Sequence, residues 1–335
     1  MQPSFPPEAR GASRILGTGR YVPEKVLTNR DLEQIVDTSD EWNTSRTGIK
    51  RRHVAAEDEA TSDLAVRALT DALEDAGLQP GELDAIIVGT ATPDMLFPST
   101  ACVVQQHLGL SGIPVFDVSA ACSGFIYGSL LANSLIASGP FRHIGVVGAE
   151  TLTRLLDWDD RTTCVLFGDG AGAAVFGPGD GESGVLAACA GADGNLADLL
   201  KLPAGGTRMP ASIRTVEEGK HFIYMEGSEV FKSAVRAMVE SAERALELSG
   251  LSPDEVDLLI PHQANIRIIE ALAKRVHIPG EHVFVNIADY GNTSAASIPI
   301  ALDEAREQGR VKEGTRAMMV AFGAGFTWGS LVVSF

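Results

Sequence analysis

Two stretches of the chain decide its fold: Ala72-Leu-Glu-Asp-Ala-Gly-Leu-Gln-Pro-Gly-Glu-Leu-Asp-Ala-Ile-Ile87 and Ala245-Leu-Glu-Leu-Ser-Gly-Leu-Ser-Pro-Asp-Glu-Val-Asp-Leu-Leu-Ile260. They lie at a constant offset of 173, and nine of their sixteen positions are identical. Upstream of the first, Leu64, Ala65, Ala68, Leu69, Ala72 and Leu73 recur at helical spacing. Upstream of the second, Val230, Phe231, Ala234, Val235, Met238, Val239 and Ala242 do the same. Each predicted helix stops at a glycine, Gly77 or Gly250, which suits the left-handed position after a helix. A loop with Pro80 or Pro253 follows, then an apolar strand at 85–88 or 257–260. With Gly, Pro, Glu and Asp held at matched offsets, a duplicated α/β unit explains the pair better than chance recurrence of a common pattern.

The halves are expected at 14–180 and 181–335, behind a polar tail at 1–13. Further short apolar runs, Val115–Val118, 144–147, 164–167, 173–176, 317–321 and 331–335, read as strands. The segment 121–137 is apolar on nearly every face and carries Gly124 and Gly128, so it reads as a central helix. Strands alternating with helices imply largely parallel sheets covered by helices.

Composition narrows the function. Of 335 residues, 45% are apolar and 21% charged, an ordinary globular balance. With 27 basic against 44 acidic residues the net charge is −17, which argues against general binding to nucleic acid or anionic membrane. No apolar run approaches the ~18 residues of a membrane span. The N-terminus, with Pro3, Pro6 and Pro7, lacks a signal-peptide core. Four cysteines without CxxC or Cys/His ligand spacing fit reduced thiols in a cytoplasmic protein, with no metal site.

Three residues carry candidate chemistry. Cys122 follows the strand Val115–Val118 and opens the central helix, where unpaired amides and the helix dipole favour a thiolate. Cys102, Cys164 and Cys189 read as small buried hydrophobes. His262, in Pro261-His-Gln-Ala-Asn265, lies just beyond the repeat's second strand, the end of a parallel strand where ligand sites gather. Asn292 sits in a small-residue turn before an apolar helix, where an asparagine also serves simply as a cap. Singly, each residue is also compatible with a structural role.

Together they resemble a known set. Val118-Ser-Ala-Ala-Cys-Ser-Gly-Phe125, Pro261-His-Gln-Ala-Asn265, Gly291-Asn-Thr-Ser-Ala-Ala-Ser-Ile-Pro299 and Gly323-Ala-Gly-Phe-Thr-Trp-Gly329 resemble the β-ketoacyl-acyl-carrier-protein synthase III family. So do Thr38-Ser-Asp-Glu-Trp42, Arg46-Thr-Gly-Ile49 and Phe167-Gly-Asp-Gly-Ala-Gly-Ala173. The resemblance implies a thiolase-like fold, two duplicated α/β halves in a layered αβαβα core. It also implies an acyltransferase that starts fatty-acid synthesis: acyl-CoA acylates the cysteine, then malonyl-acyl-carrier protein decarboxylates and its carbanion attacks the thioester. Acyl-CoA is then a substrate, and no cofactor is permanently bound.

By the same resemblance Cys122 is the nucleophile, and His262 with Asn292 donates hydrogen bonds to the enolate oxygen. The amides of Cys122 and Ala324 form the oxyanion hole; many relatives carry glycine at Ala324, which matters only if that position needs positive φ. Trp42, Arg46, Arg161 and Asn265 are implied to bind CoA, Phe97 to enter a partner subunit's acyl pocket in a homodimer, and Lys232, Arg267, Lys274 and Arg275 to dock the carrier protein. Thiolases need a second, C-terminal cysteine, and no Cys follows Cys189. Elongating condensing enzymes pair the cysteine with two histidines, and hydroxymethylglutaryl-CoA synthase needs a glutamate base that no matched motif provides. A secondary-metabolism relative with another acceptor remains open at this point. From other classes, the G-x-G-x-x-A at Gly168–Ala173 lacks the following helix of a nucleotide-binding loop, and a scaffold would show no single fast-reacting cysteine.

Overall fold

The computed structural model describes residues 9–181 and 183–335, so most of the expected tail at 1–13 lies outside the described residues. Both copies of the repeat fold alike. The helix Thr61–Ala76 ends at Gly77 (φ 67°) and the helix Gly227–Ser249 at Gly250 (φ 74°). Each leads through a 3₁₀ turn, Pro80–Glu82 or Pro253–Glu255, into a strand, Ala85–Gly89 or Leu258–Pro261. The identical residues do identical work. Glu82 accepts from the Gln79 amide at 2.8 Å and Glu255 from the Ser252 amide at 2.9 Å, each capping its 3₁₀ turn. Asp84 accepts from the His143 amide at 3.0 Å and Asp257 from the Arg316 amide at 2.8 Å, tying the start of the neighbouring strand.

Two sheets result. The first runs Ser13–Tyr21, Asp169–Pro178, Ile144–Thr151, Ala85–Gly89, Val115–Val118 in spatial order. The second runs Leu258–Pro261, Arg316–Gly323, Thr327–Ser334, Gly184–Ala192. The sheets are mixed rather than largely parallel: three pairings are parallel and four antiparallel. The strand Thr327–Ser334 returns against Arg316–Gly323 as a hairpin, and Asp169–Pro178 returns antiparallel to Ile144–Thr151; only the helix crossovers enforce parallel pairing.

Helices form three layers around these sheets. Gly124–Ser138 and Ser297–Glu307 fill the space between them, contributing Phe125, Ile126, Ile298 and Leu302 to the central core. Thr61–Ala76 covers the outer face of one sheet, and Gly227–Ser249 with Ile266–Arg275 covers the other. By length and composition the span Ala121–Ser138 could cross a membrane, contrary to the sequence expectation, and 56% of it is buried inside the fold. A helix packed on both sides by sheets must be apolar all round.

The expected strand at 164–167 is a turn, because the Cys164 amide bonds back to Asp160 O at 3.0 Å and the Leu166 amide to Thr163 O at 3.0 Å; only Phe167 makes a bridge, and it is to Asn292. The glycines of the G-x-G-x-x-A run lie before and within the strand Asp169–Pro178. A Cβ on Gly172 would meet the Ile300 amide nitrogen at 2.6 Å, so that glycine serves helix–sheet contact.

Candidate active site

Cys122 lies in the 3₁₀ turn Ala121–Ser123, one turn ahead of the helix Gly124–Ser138. Ala121 holds φ 45°, a left-handed conformation that a residue with a side chain adopts only under constraint. A Cβ on Gly323 would stand 2.6 Å from the Cys122 amide nitrogen, so only glycine lets the strand end Arg316–Gly323 close over the cysteine. Cys122 borders two adjoining cavities, one of about 180 Å³ shared with His262, Asn292, Asn265 and Phe231, the other of about 100 Å³ shared with Ser294 and Ala324. A larger open groove beside Lys25, Ile35 and Trp158 holds none of the candidate residues.

His262 follows the strand Leu258–Pro261, and its amide donates to Val320 O at 2.8 Å. Its Nδ1 stands 2.6 Å from Ser297 Oγ, which accepts the Gln263 amide at 3.3 Å. When the Ser297 hydroxyl donates to Nδ1, the imidazole proton lies on Nε2, the nitrogen opposite Ser297. Asn292 Oδ1 accepts the Ser294 amide at 2.9 Å, leaving the two Nδ2 protons for the cavity. Asn292 therefore does cap a local turn, and the same bond aims its amide. The arrangement offers a thiol and two N–H donors around one cavity.

Burial sets the charge state. The Cys122 thiol is pushed up to about 12, chiefly by burial, with the Glu150 charge adding and the Ser294 hydroxyl opposing. This departs from the sequence expectation, because desolvation outweighs the helix-end field, typically worth 0.3–1 kcal/mol and at most about 2. Burial also drives His262 down to about 3. The resting pair is a neutral thiol and a neutral imidazole.

Ala324 is absent from the residues with positive φ, so alanine there keeps its amide available without strain. Trp42, Arg46 and Arg161 form a separate half-exposed cluster, both guanidiniums 5.5 Å from the indole centroid. Arg161 also donates to Asp37 O at 2.9 Å. Asn265 caps the helix Ile266–Arg275 by accepting the Arg267 amide at 2.9 Å, and it lines the Cys122 cavity. Arg267 reaches Ser45 O at 3.3 Å, which joins this helix to the one bearing Trp42, Asp40–Thr47. Lys274 and Arg275 lie in the last turn of Ile266–Arg275, while Lys232 on the helix Gly227–Ser249 pairs with Glu229 at 2.8 Å. Phe97 is not brought to either cavity of its own chain; it is 85% exposed beside Leu96 at 77%.

Sequence reasoning assigned no role to Glu150, Ser294, Ser297 or Gln263. Glu150 had a signal, a lone acid inside the buried strand Ile144–Thr151. The serines had none beyond membership of the Gly291–Pro299 stretch.

A thiol, an imidazole and a carboxamide around one cavity, in a fold of two stacked helix-covered sheets, match a condensing acyltransferase of the thiolase fold. Residues 116–194 match the family described as 3-oxoacyl-[acyl-carrier-protein (ACP)] synthase III, and residues 246–335 match its C-terminal region. The chain is 56% identical over 322 residues to the beta-ketoacyl-[acyl-carrier-protein] synthase III of Caldanaerobacter subterraneus subsp. tengcongensis, covering 96% of this chain and 97% of that one. It is 52% identical over 319 residues to that of Roseiflexus sp. (strain RS-1), covering 95% and 97%. The crystal structure of 3-oxoacyl-[acyl-carrier-protein] synthase III from Aquifex aeolicus VF5 superposes with a TM-score of 0.89 at 51% identity, covering 96% of this chain and 100% of that one. The chain belongs to the β-ketoacyl-acyl-carrier-protein synthase III family.

Proposed function

We propose that this chain joins an acyl-CoA starter to malonyl-acyl-carrier protein through an acyl-Cys122 intermediate. The observation that carries the reading is the convergence of Cys122, His262 and Asn292 on one cavity, with Ser297 and Ser294 aiming the two donors. A cysteine suits both halves of the reaction, since its sulfur attacks a thioester and leaves from one. After acylation, malonyl decarboxylation places negative charge on the thioester oxygen. His262 Nε2 and Asn292 Nδ2 donate to it, each typically worth ~3 kcal/mol in the transition state. The Cys122 and Ala324 amides hold the tetrahedral oxyanion of acyl transfer. The products are β-ketoacyl-carrier protein and carbon dioxide.

Trp42 and Arg161 hold the adenine of CoA, with Arg46 beside them and Asn265 on the pantetheine arm. Planar indole and guanidinium faces both stack on a purine. The exposed Leu96 and Phe97 fit a homodimer in which Phe97 completes the partner's acyl pocket, and the setting is the cytoplasm. The halves at 14–180 and 181–335 each supply one sheet.

Intact mass after incubation with a panel of acyl-CoAs tests this and identifies the starter. One acyl adduct is expected on Cys122, with none on Cys122→Ala. His262→Ala and Asn292→Ala are expected to lose decarboxylation by about 10²-fold while still acylating Cys122. An adduct persisting in Cys122→Ala overturns the assignment.

A further inference from the structure

Glu150 is fully buried, and among the described residues it has no ion-pair partner. Its oxygens accept from the Ala91 amide at 3.1 Å, Thr92 Oγ1 at 2.6 Å and Ser294 Oγ at 2.9 Å. Thr92 Oγ1 itself accepts the Thr151 amide at 2.9 Å, so its proton is committed to Glu150. A buried carboxylate without a counter-ion is held by hydrogen bonds alone, and here one of them comes from the hydroxyl that borders the Cys122 cavity. Ser294 supplies that hydroxyl: it lines the same cavity as Cys122, its Oγ donates to Glu150 Oε1, and its hydroxyl opposes the burial-driven rise of the thiol pKa. To do so Ser294 holds φ 48°, a second left-handed residue at the site.

We propose that Glu150 is the proton acceptor for the Cys122 thiol, acting through the Ser294 hydroxyl. This rests on reading Cys122 as the acylated nucleophile. The Cys122 S–H bond breaks as its proton passes to Ser294 Oγ, while Ser294's own proton passes to Glu150 Oε1. The thiolate sulfur then bonds to the acyl carbonyl carbon, the carbon–sulfur bond to CoA breaks, and the proton returns by the same path to the departing CoA sulfur.

His262 is poorly placed for that task, since its Nε2 already carries a proton when Ser297 donates to Nδ1. It is also the weaker base: burial lowers it to about 3 and raises Glu150 to about 7. The Thr90–Thr92 loop, Thr151 and the Ser294–Ala295 turn face Glu150 with hydroxyls and amides only; Cys122 is the titratable group beside it.

The test is rapid-quench measurement of acyl-Cys122 formation from pH 5.5 to 9, with malonyl-carrier-protein decarboxylation followed in parallel. Wild type, Glu150→Gln, Glu150→Asp and Ser294→Ala are compared. Ser294→Ala keeps the backbone amide that orients Asn292, so it isolates the hydroxyl. Glu150→Gln and Ser294→Ala are expected to slow acylation at least tenfold more than decarboxylation and to abolish an inflection near pH 7, with partial recovery in Glu150→Asp. Should Glu150→Gln fail to fold by circular dichroism, Ser294→Ala decides alone. Unchanged acylation and an unchanged inflection in Ser294→Ala overturn the relay, as do equal losses in both half-reactions. A wild-type enzyme that forms no adduct on Cys122 overturns the functional reading instead, and the relay with it.

Discussion

Ser297 Oγ stands 2.6 Å from His262 Nδ1, and that contact decides what the opposite ring nitrogen can do. With Ser297 donating, Nε2 is a donor facing a cavity where an enolate would form. Removing the hydroxyl lets the ring take either tautomer.

Ser297→Ala is therefore expected to lower the decarboxylation kcat by about five- to tenfold, the worth of one neutral hydrogen bond of about 1 kcal/mol. KM for malonyl-carrier protein should change little, since no binding contact is lost. Steady-state decarboxylation by the variant checks this. A raised KM with unchanged kcat would make Ser297 a binding residue rather than a positioning one.

Two buried groups give opposite dependences of stability on pH. Glu150 titrates near 7 in the folded chain against an ordinary 4.5, so between those values the folded state holds a proton that the unfolded state has lost. Its contribution to stability is present at low pH and disappears as pH rises to about 7. His262 is lowered from 6.5 to about 3, so as pH falls through 6.5 the unfolded chain takes a proton that the folded one refuses, and stability is lost. Relative to wild type, His262→Asn should gain about 2 kcal/mol between pH 7 and pH 5, at about 1.4 kcal/mol per pH unit. Glu150→Gln should show the opposite trend. Denaturant unfolding at both pH values measures the difference, and parallel curves for both variants would contradict it.

Much of this architecture was legible because the repeat encodes its own caps. Gly77, Pro80, Glu82 and Asp84 each have a local task, and local tasks leave spacing that a sequence reveals. The mixed sheets were not legible, since the partner of Asp169–Pro178 is set by distant packing. Cys122, His262 and Asn292 were found through motifs. Their charge states were not, because desolvation depends on the two sheets closing over them. The Glu150 link to Ser294 joins residues 144 apart, and no spacing announces such a contact.

Gly148 explains how that contact is reached. It lies two residues before Glu150 on the strand Ile144–Thr151, so both point to the same face. A Cβ on Gly148 would stand 2.1 Å from Ala295 O, which means the turn carrying Ser294 rests directly on that backbone. Gly148→Ala is expected to destabilise the protein by about 1–3 kcal/mol through overpacking and to depress both half-reactions together. The thermal midpoint and the two assays test it. Normal stability and activity would mean the turn has room that the structure does not show.

The last prediction concerns docking, where charge presents a conflict. The chain carries −17 and acyl-carrier proteins are acidic, so their mean fields repel and association needs a local positive patch. Lys232 is partly neutralised by Glu229, whereas Arg267, Lys274 and Arg275 carry no ion pair among the described residues. Arg267 is exposed on the helix that starts at the cavity, and its contact is a backbone carbonyl, Ser45 O, rather than an acidic side chain. That contact also ties it to the helix of Trp42, so charge and structure must be separated. Arg267→Gln removes the charge and Arg267→Glu reverses it. The carrier-protein step, read as kcat/KM, should fall in both and fall further in the reversal, reaching at least tenfold, or about 1.4 kcal/mol. Acyl-CoA transfer to Cys122 should fall by no more than a few-fold, and equally in both, because it senses only the Ser45 contact. The carrier-protein step should also weaken as salt rises, since exposed charges are screened over ~10 Å at 0.1 M. Equal losses in the two half-reactions would make Arg267 structural, and no loss in either would move the docking surface away from this helix.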